Sequence, residues 1–149
     1  MARLRIATTC CAVGLVAPAA AGPTPATAKT LPMVEKINSV RAAHGLEALR
    51  SSPYLRRSSR RWGSYLVRTG QFGHLGIRAS RRFPYVGEVL GYHGDWKPKR
   101  SATVRDWLAS PGHRSVLLSP SFRNVGTAFA RGRIEGRRAT IWVVQFGRR

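Results

Sequence analysis

Side chains able to do chemistry are scarce in this sequence: 149 residues hold four histidines, six acidic residues and two cysteines. His113 stands in Asp106-Trp107-Leu108-Ala109-Ser110-Pro111-Gly112-His113-Arg114, where a helical pattern breaks at Ser-Pro-Gly and a histidine opens the next turn. Phe72-Gly73-His74 lies upstream, and Gly87-Glu88 falls between the two. We read these places as parts of one site. Two imidazoles and a carboxylate are the ligand set of several hydrolytic zinc sites. Zinc there lowers the pKa of its bound water toward neutrality and makes a nucleophile. The same groups also satisfy one another without metal, the carboxylate bridging both rings. Both arrangements stay open at this point. Hydrolysis further needs a general base, and Asp95 and Asp106 are the nearest acids in sequence. Asp106 directly precedes Trp107 on its helix, so its side chain points about 100° away from the indole.

Other chemistries find little support. Ser110 and Ser115 flank His113 without a Gly-x-Ser-x-Gly elbow. Gly87-x-x-x-Gly91 is not a phosphate-binding loop. His44 precedes a helix-ending glycine and reads as a surface cap; His93, beside Gly94 at the rim of the cleft, reads as solvated.

The elements that position these residues follow from periodicity. Pro32 opens a helix to about Ala43, with Val34, Ile37, Val40 and Arg41 at helical spacing and Gly45 as its cap. Ser52-Pro53 starts a second helix, running to Thr69 and stopped by Gly70. Leu55, Ser58, Ser59, Trp62 and Leu66 form its buried stripe, and Arg56, Arg57, Arg60, Arg61 and Arg68 surround it. A loop over 71–84 carries His74 and a basic tip from Arg78 to Arg82. Tyr85 to Tyr92 is an extended segment bearing Glu88, and Gly94 to Lys99 a turn. Ser101 caps a third helix containing Val104, Trp107 and Leu108; a further turn runs from His113 to Leu118. Asn124–Ala130 and Thr140–Phe146 read as strands joined by a hairpin loop over 132–138. Helices followed by a hairpin predict an α+β domain.

Composition sets the setting. The basic start Met1 to Arg5, the small apolar run to Ala21 and the small-x-small patterns at Ala19-Ala20-Ala21 and Ala26-Thr27-Ala28 read as a secretory leader. Taking the second pattern, residues 1–28 are the signal peptide and 29–149 one domain. The apolar run is short for a membrane span and is interrupted by Thr8, Thr9 and Pro18. Cys10 and Cys11 both fall in the leader, so the domain is held by packing without disulfides. Without Arg3 and Arg5 the chain still carries a formal charge of about +18, against +20 for the whole sequence. Such a field draws anionic cell-envelope polymers, lipid headgroups or a membrane surface. No recognisable nucleic-acid module accompanies it, so specific nucleic-acid binding is not expected. Aromatics do interleave with arginines at Arg81-Arg82-Phe83-Pro84-Tyr85.

Several motifs occur in a telling order: Asn38-x-x-Arg41 with Gly45-Leu46 and Leu49; Phe72-Gly73-His74; Gly87-Glu88; Trp107-Leu108-x-Ser110-Pro111-Gly112-His113-Arg114; Leu117-Leu118; Asn124-Val125-Gly126; and Trp142-Val143-Val144-Gln145-Phe146-Gly147. Over residues 31–147 the chain thereby resembles the CAP superfamily, the cysteine-rich secretory, antigen 5 and pathogenesis-related 1 group. It is most similar to the short bacterial branch without disulfides. The resemblance implies an α-β-α sandwich, with helices on both faces of a small, mainly antiparallel sheet. It also implies a cleft holding two histidines and two acidic residues. His74, Glu88 and His113 match three of these positions. Ser110 stands where many members carry glutamate, and Val89 where asparagine commonly follows the cleft glutamate. The resemblance further suggests lipids or sterols as ligands.

The resulting expectation is a secreted, monomeric binding module at or near the cell envelope, rather than an enzyme. Its cleft of His74, Glu88, Ser110 and His113 takes a divalent metal such as zinc, on His74, Glu88 and His113, or a lipid-like ligand. The alternatives are a zinc-dependent hydrolase in the same cleft, and nonspecific polyanion binding by a surface of Arg56, Arg57, Arg60 and Arg61.

Overall fold

The computed structural model describes residues 32–74 and 77–149; the expected leader lies outside the described residues. The elements are α1 (Pro32–Ala43), β1 (Arg50–Ser51), α2 (Pro53–Thr69), β2 (Tyr85–His93), α3 (Arg100–Ala109), α4 (Pro111–Leu117), β3 (Asn124–Ile134) and β4 (Arg137–Arg148). The strands form one sheet in the order β1-β3-β4-β2. β4 pairs antiparallel with both β3 and β2, and only the short β1 runs parallel, to β3.

Period-two alternation divides the sheet between two cores. On one face Val89, Val125, Trp142, Val144 and Phe146 meet Met33, Val34 and Ile37 of α1, Val104 and Trp107 of α3, and Leu117 of α4. On the other, Leu90, Ile134, Ala139, Ile141 and Val143 meet Leu66 of α2, with Trp62 and Val67 packed alongside. This is the expected α+β sandwich with helices on both faces. β4 is central and buried on both faces, which explains its near-continuous apolar run.

Small residues let α2 approach. A Cβ on Gly126 would stand 2.1 Å from Arg56 N and 2.2 Å from the Leu55 carbonyl carbon, so the helix backbone lies directly on the strand there. α2 begins as expected, with Ser52 accepting a bond from Leu55 N at 3.3 Å, and ends on Gly70 in the left-handed region.

Four local expectations are corrected. The hairpin loop over 132–138 shrinks to Glu135-Gly136, both at positive φ (49° and 74°), a turn that matches strand twist. The strands extend because Ile134 and Ala139 still bury against α2. Strand β1 was not foreseen; two residues carry no periodic signal, and Arg50 and Ser51 are extended only because β3 is beside them. Ser101 does not cap α3: the helix starts at Arg100 after Lys99, with no side-chain cap. Finally, the break before His113 is a single residue, Ser110, since Pro111 and Gly112 already belong to α4.

Two polar clamps hold α1 in place. Asn38 donates to Leu49 O (3.0 Å) and accepts from Leu49 N (2.9 Å), which aligns the chain for β1. Arg41 is fully buried and donates to the carbonyls of Glu47, Leu117 and Ser119 at 2.9–3.0 Å. Burial holds its guanidinium pKa below the ordinary arginine value, with Arg123 adding to the effect and Glu47 opposing it. These bonds tie the C-terminal end of α4 to α1.

Candidate functional site at the β2 edge

β2 closes one end of the sheet, and the predicted site gathers along it. Glu88 comes from the strand itself. Its register partner on β4 is Gln145, which donates from Nε2 to Glu88 Oε2 at 2.8 Å. Glu88 is 5% exposed in its side chain. His74 reaches it from the loop after α2, with Nδ1 3.4 Å from Glu88 Oε1. Phe72 anchors that loop by packing edge-on against Tyr92 of β2 (centroids 5.9 Å apart). His74 itself stays half exposed, at 53%.

His113 arrives from the opposite layer, on the first turn of α4. Ser110 precedes that helix in extended conformation and its carbonyl accepts from Arg114 N at 2.8 Å. Its hydroxyl caps no backbone amide and instead meets His113 Nδ1 at 3.0 Å. Proline at the first helical position costs no hydrogen bond and pre-sets the turn. The His74 and His113 rings lie 6.0 Å apart, centre to centre. Burial lowers the pKa of His113 below 6.5, and the neighbouring His74 lowers it further. His113 is thereby favoured as neutral imidazole, the form that can act as ligand or acceptor.

These residues line an open cleft of about 460 Å³, with Ile77, Val86, Gly87 and Gly112 completing the wall. All four expected cleft residues, His74, Glu88, Ser110 and His113, therefore come together. A second cavity of about 240 Å³ shares Ser110 and His113 with it and adds His93, Thr103 and Asp106. His93 is not solvated as expected: its Nε2 lies 2.6 Å from Thr103 Oγ1. Asp106 is exposed beside Arg105, and Asp95 pairs with Lys99 at 2.6 Å, so neither supplies a carboxylate to the first cleft. His44 is the expected surface cap, with Nδ1 2.9 Å from Val40 O. Sequence reasoning missed Gln145 as a site residue. Its signal was a lone amide inside Ile141-Trp142-Val143-Val144-Gln145-Phe146, where a buried polar group needs a partner.

The profile of the cysteine-rich secretory protein family, CAP, matches residues 34–146. The chain belongs to this family. Known structures agree with the CAP fold. The domain is similar to an outer surface protein from Borrelia burgdorferi (TM-score 0.64, 21% identity, covering 78% of this chain and 90% of that one). It is also similar to an extracellular protein containing an SCP domain from Bacillus anthracis (TM-score 0.61, 20% identity, 78% and 39% covered). A cysteine-rich secretory protein from Staphylococcus aureus aligns at TM-score 0.55 and 17% identity (78% and 37% covered). This CAP domain thus spans about two fifths of the length of the Bacillus and Staphylococcus chains. No curated protein matches the sequence. No helix among the described residues is long and apolar enough to cross a membrane.

The CAP cleft can be tested for a divalent ion on its own donors. Two imidazole nitrogens and a carboxylate suit zinc. Supporting contacts of the usual kind are present, Ser110 on His113 and Gln145 on Glu88. Among the described residues no group of three His, Cys, Asp or Glu side chains is placed so as to hold a metal ion. The donor types suit such an ion, and His74 is the most exposed of the three.

Proposed function

We propose that this CAP protein is an exported binding module acting at or near the cell envelope, with the β2-edge cleft as its ligand site. The reading rests chiefly on Glu88: a carboxylate buried in the wall of an open cleft, faced by His74 and steadied by Gln145. A polar centre kept at the base of an accessible cavity suits capture of a small charged ligand. We assign a divalent metal such as zinc to His74, Glu88 and His113, with Ser110 orienting the last. Bound zinc supplies Lewis acidity and a water of lowered pKa. Glu88 is the one carboxylate among the described residues lining this cleft, which favours binding over hydrolysis. Export is supported by the leader-like start, and an envelope setting by the positive charge and by similarity to an outer surface and an extracellular protein.

Zinc titration by calorimetry on the chain from Lys29, beside His74→Ala and His113→Ala, tests this. The expected result is one-to-one binding by the parent, lost in both variants. No binding, with both variants less stable than the parent, assigns the histidines to holding the fold and overturns the proposal.

A further inference from the structure

The opposite end of the sheet carries a second cavity with different chemistry. β1 pairs with Asn124 and Val125, and beyond them β3 has no strand partner on that side among the described residues. A groove of about 350 Å³ opens there, within the range of small-molecule sites. Met33 of α1, Phe129 and Trp142 supply its apolar lining; Arg56 and Arg60 of α2 and Arg100 of α3 supply its charge. Phe129 is 45% exposed, which is unusual for a large ring on a strand that faces a core. It packs on Trp142, ring centres 5.2 Å apart. Trp142 is only 4% exposed, yet its indole N–H is buried with no hydrogen-bond partner among the described residues. None of the three arginines is paired with an acid among the described residues: the four ion pairs involve Glu88, Asp95, Asp106 and Glu47 with other partners. Arg56 and Arg60 stand one helical turn apart on the same face of α2, so both reach one occupant.

We propose that this β3-edge groove binds a compact organic anion: a planar apolar body carrying a phosphate or carboxylate. The guanidinium groups of Arg56, Arg60 and Arg100 hold the anionic head, because arginine donors match an oxyanion in pairs. The Trp142 ring lies against the apolar body. Met33 and Phe129 cover the apolar body. The site is independent of the histidine cleft and shares no residue with it.

Phenyl phosphate and benzoate are the probes, titrated into the purified protein by calorimetry and by NMR. The indole N–H signal that vanishes in Trp142→Phe identifies the reporter. The expected result is saturable one-to-one binding of at least one probe, with that signal shifted, and inorganic phosphate binding at least tenfold more weakly. Arg60→Gln and Arg100→Gln, both exposed positions that leave the fold intact, each weaken binding about tenfold. Arg105→Gln, away from the groove, leaves it unchanged and separates the local site from the overall positive charge. Equal binding of inorganic phosphate, equal loss in Arg105→Gln, no binding of either probe, or binding of palmitate in their place overturns the assignment.

Discussion

At the β2 edge the protein sets imidazoles beside a buried acid, whereas at the β3 edge arginines without an acid partner among the described residues line a groove together with aromatic rings. Both cavities exist for the same topological reason: a strand whose outer side has no neighbour leaves a gap between the helical layers. They differ in how polarity is satisfied. Glu88 is held by Gln145 and His74 from within the protein, although Gln145 Oε1 itself lacks a partner among the described residues, while the guanidinium groups of Arg56, Arg60 and Arg100 have no acid partner among them. The first arrangement fixes an acid in place; the second leaves cationic donors open to an anion from solution.

Three measurements put this contrast at risk. The most damaging substitution is expected to be Arg41→Ala. It strips three carbonyls of their donor and leaves a cavity in the core, so stability falls by about 4 kcal/mol in urea unfolding. Because α4 hangs on these bonds, zinc binding at the β2 edge weakens more than phenyl phosphate binding at the β3 edge. Gly126→Ala reverses that bias at a cost on the order of 3 kcal/mol. The added methyl meets the α2 backbone rather than a movable side chain, so Arg56 and Arg60 shift while His113 does not. Equal damage to both sites by either variant erases the distinction.

The third and mildest change comes with pH. His113 has a folded pKa below its ordinary 6.5, so the folded state binds its proton less readily than the unfolded chain. The resulting stability is fully present above about pH 6.5 and is lost as pH falls through the lowered pKa. Urea midpoints measured from pH 8 to pH 5 in metal-free buffer show this decline, and His113→Gln flattens it. A slope that persists in His113→Gln places the titration elsewhere.

Much of the β2 edge was legible beforehand, because the residues that build it sit beside local punctuation. Glycine precedes His74, Glu88 and His113 in each motif, and Ser110-Pro111 announces a helix start. Gln145 was harder to see, since its partner Glu88 lies 57 positions away and only strand register brings them opposite. The β3 groove was not legible at all. Arg56 and Arg60 read as part of one basic face with Arg57 and Arg61, and only the first two turn to the groove of the β3 edge.

Short-range physics accounts for the helix boundaries set by proline, serine and glycine, the alternation of β3 and the positive charge, while the histidine cleft was read from motif order and the family resemblance. Three outcomes needed the folded molecule: which elements end the sheet, that two residues suffice to turn the hairpin, and that the Trp142 N–H has no partner among the described residues. Those outcomes depend on how α1, α2 and α3 divide the two faces of the sheet. That division is set by packing between residues far apart in the chain, where no local pattern records it.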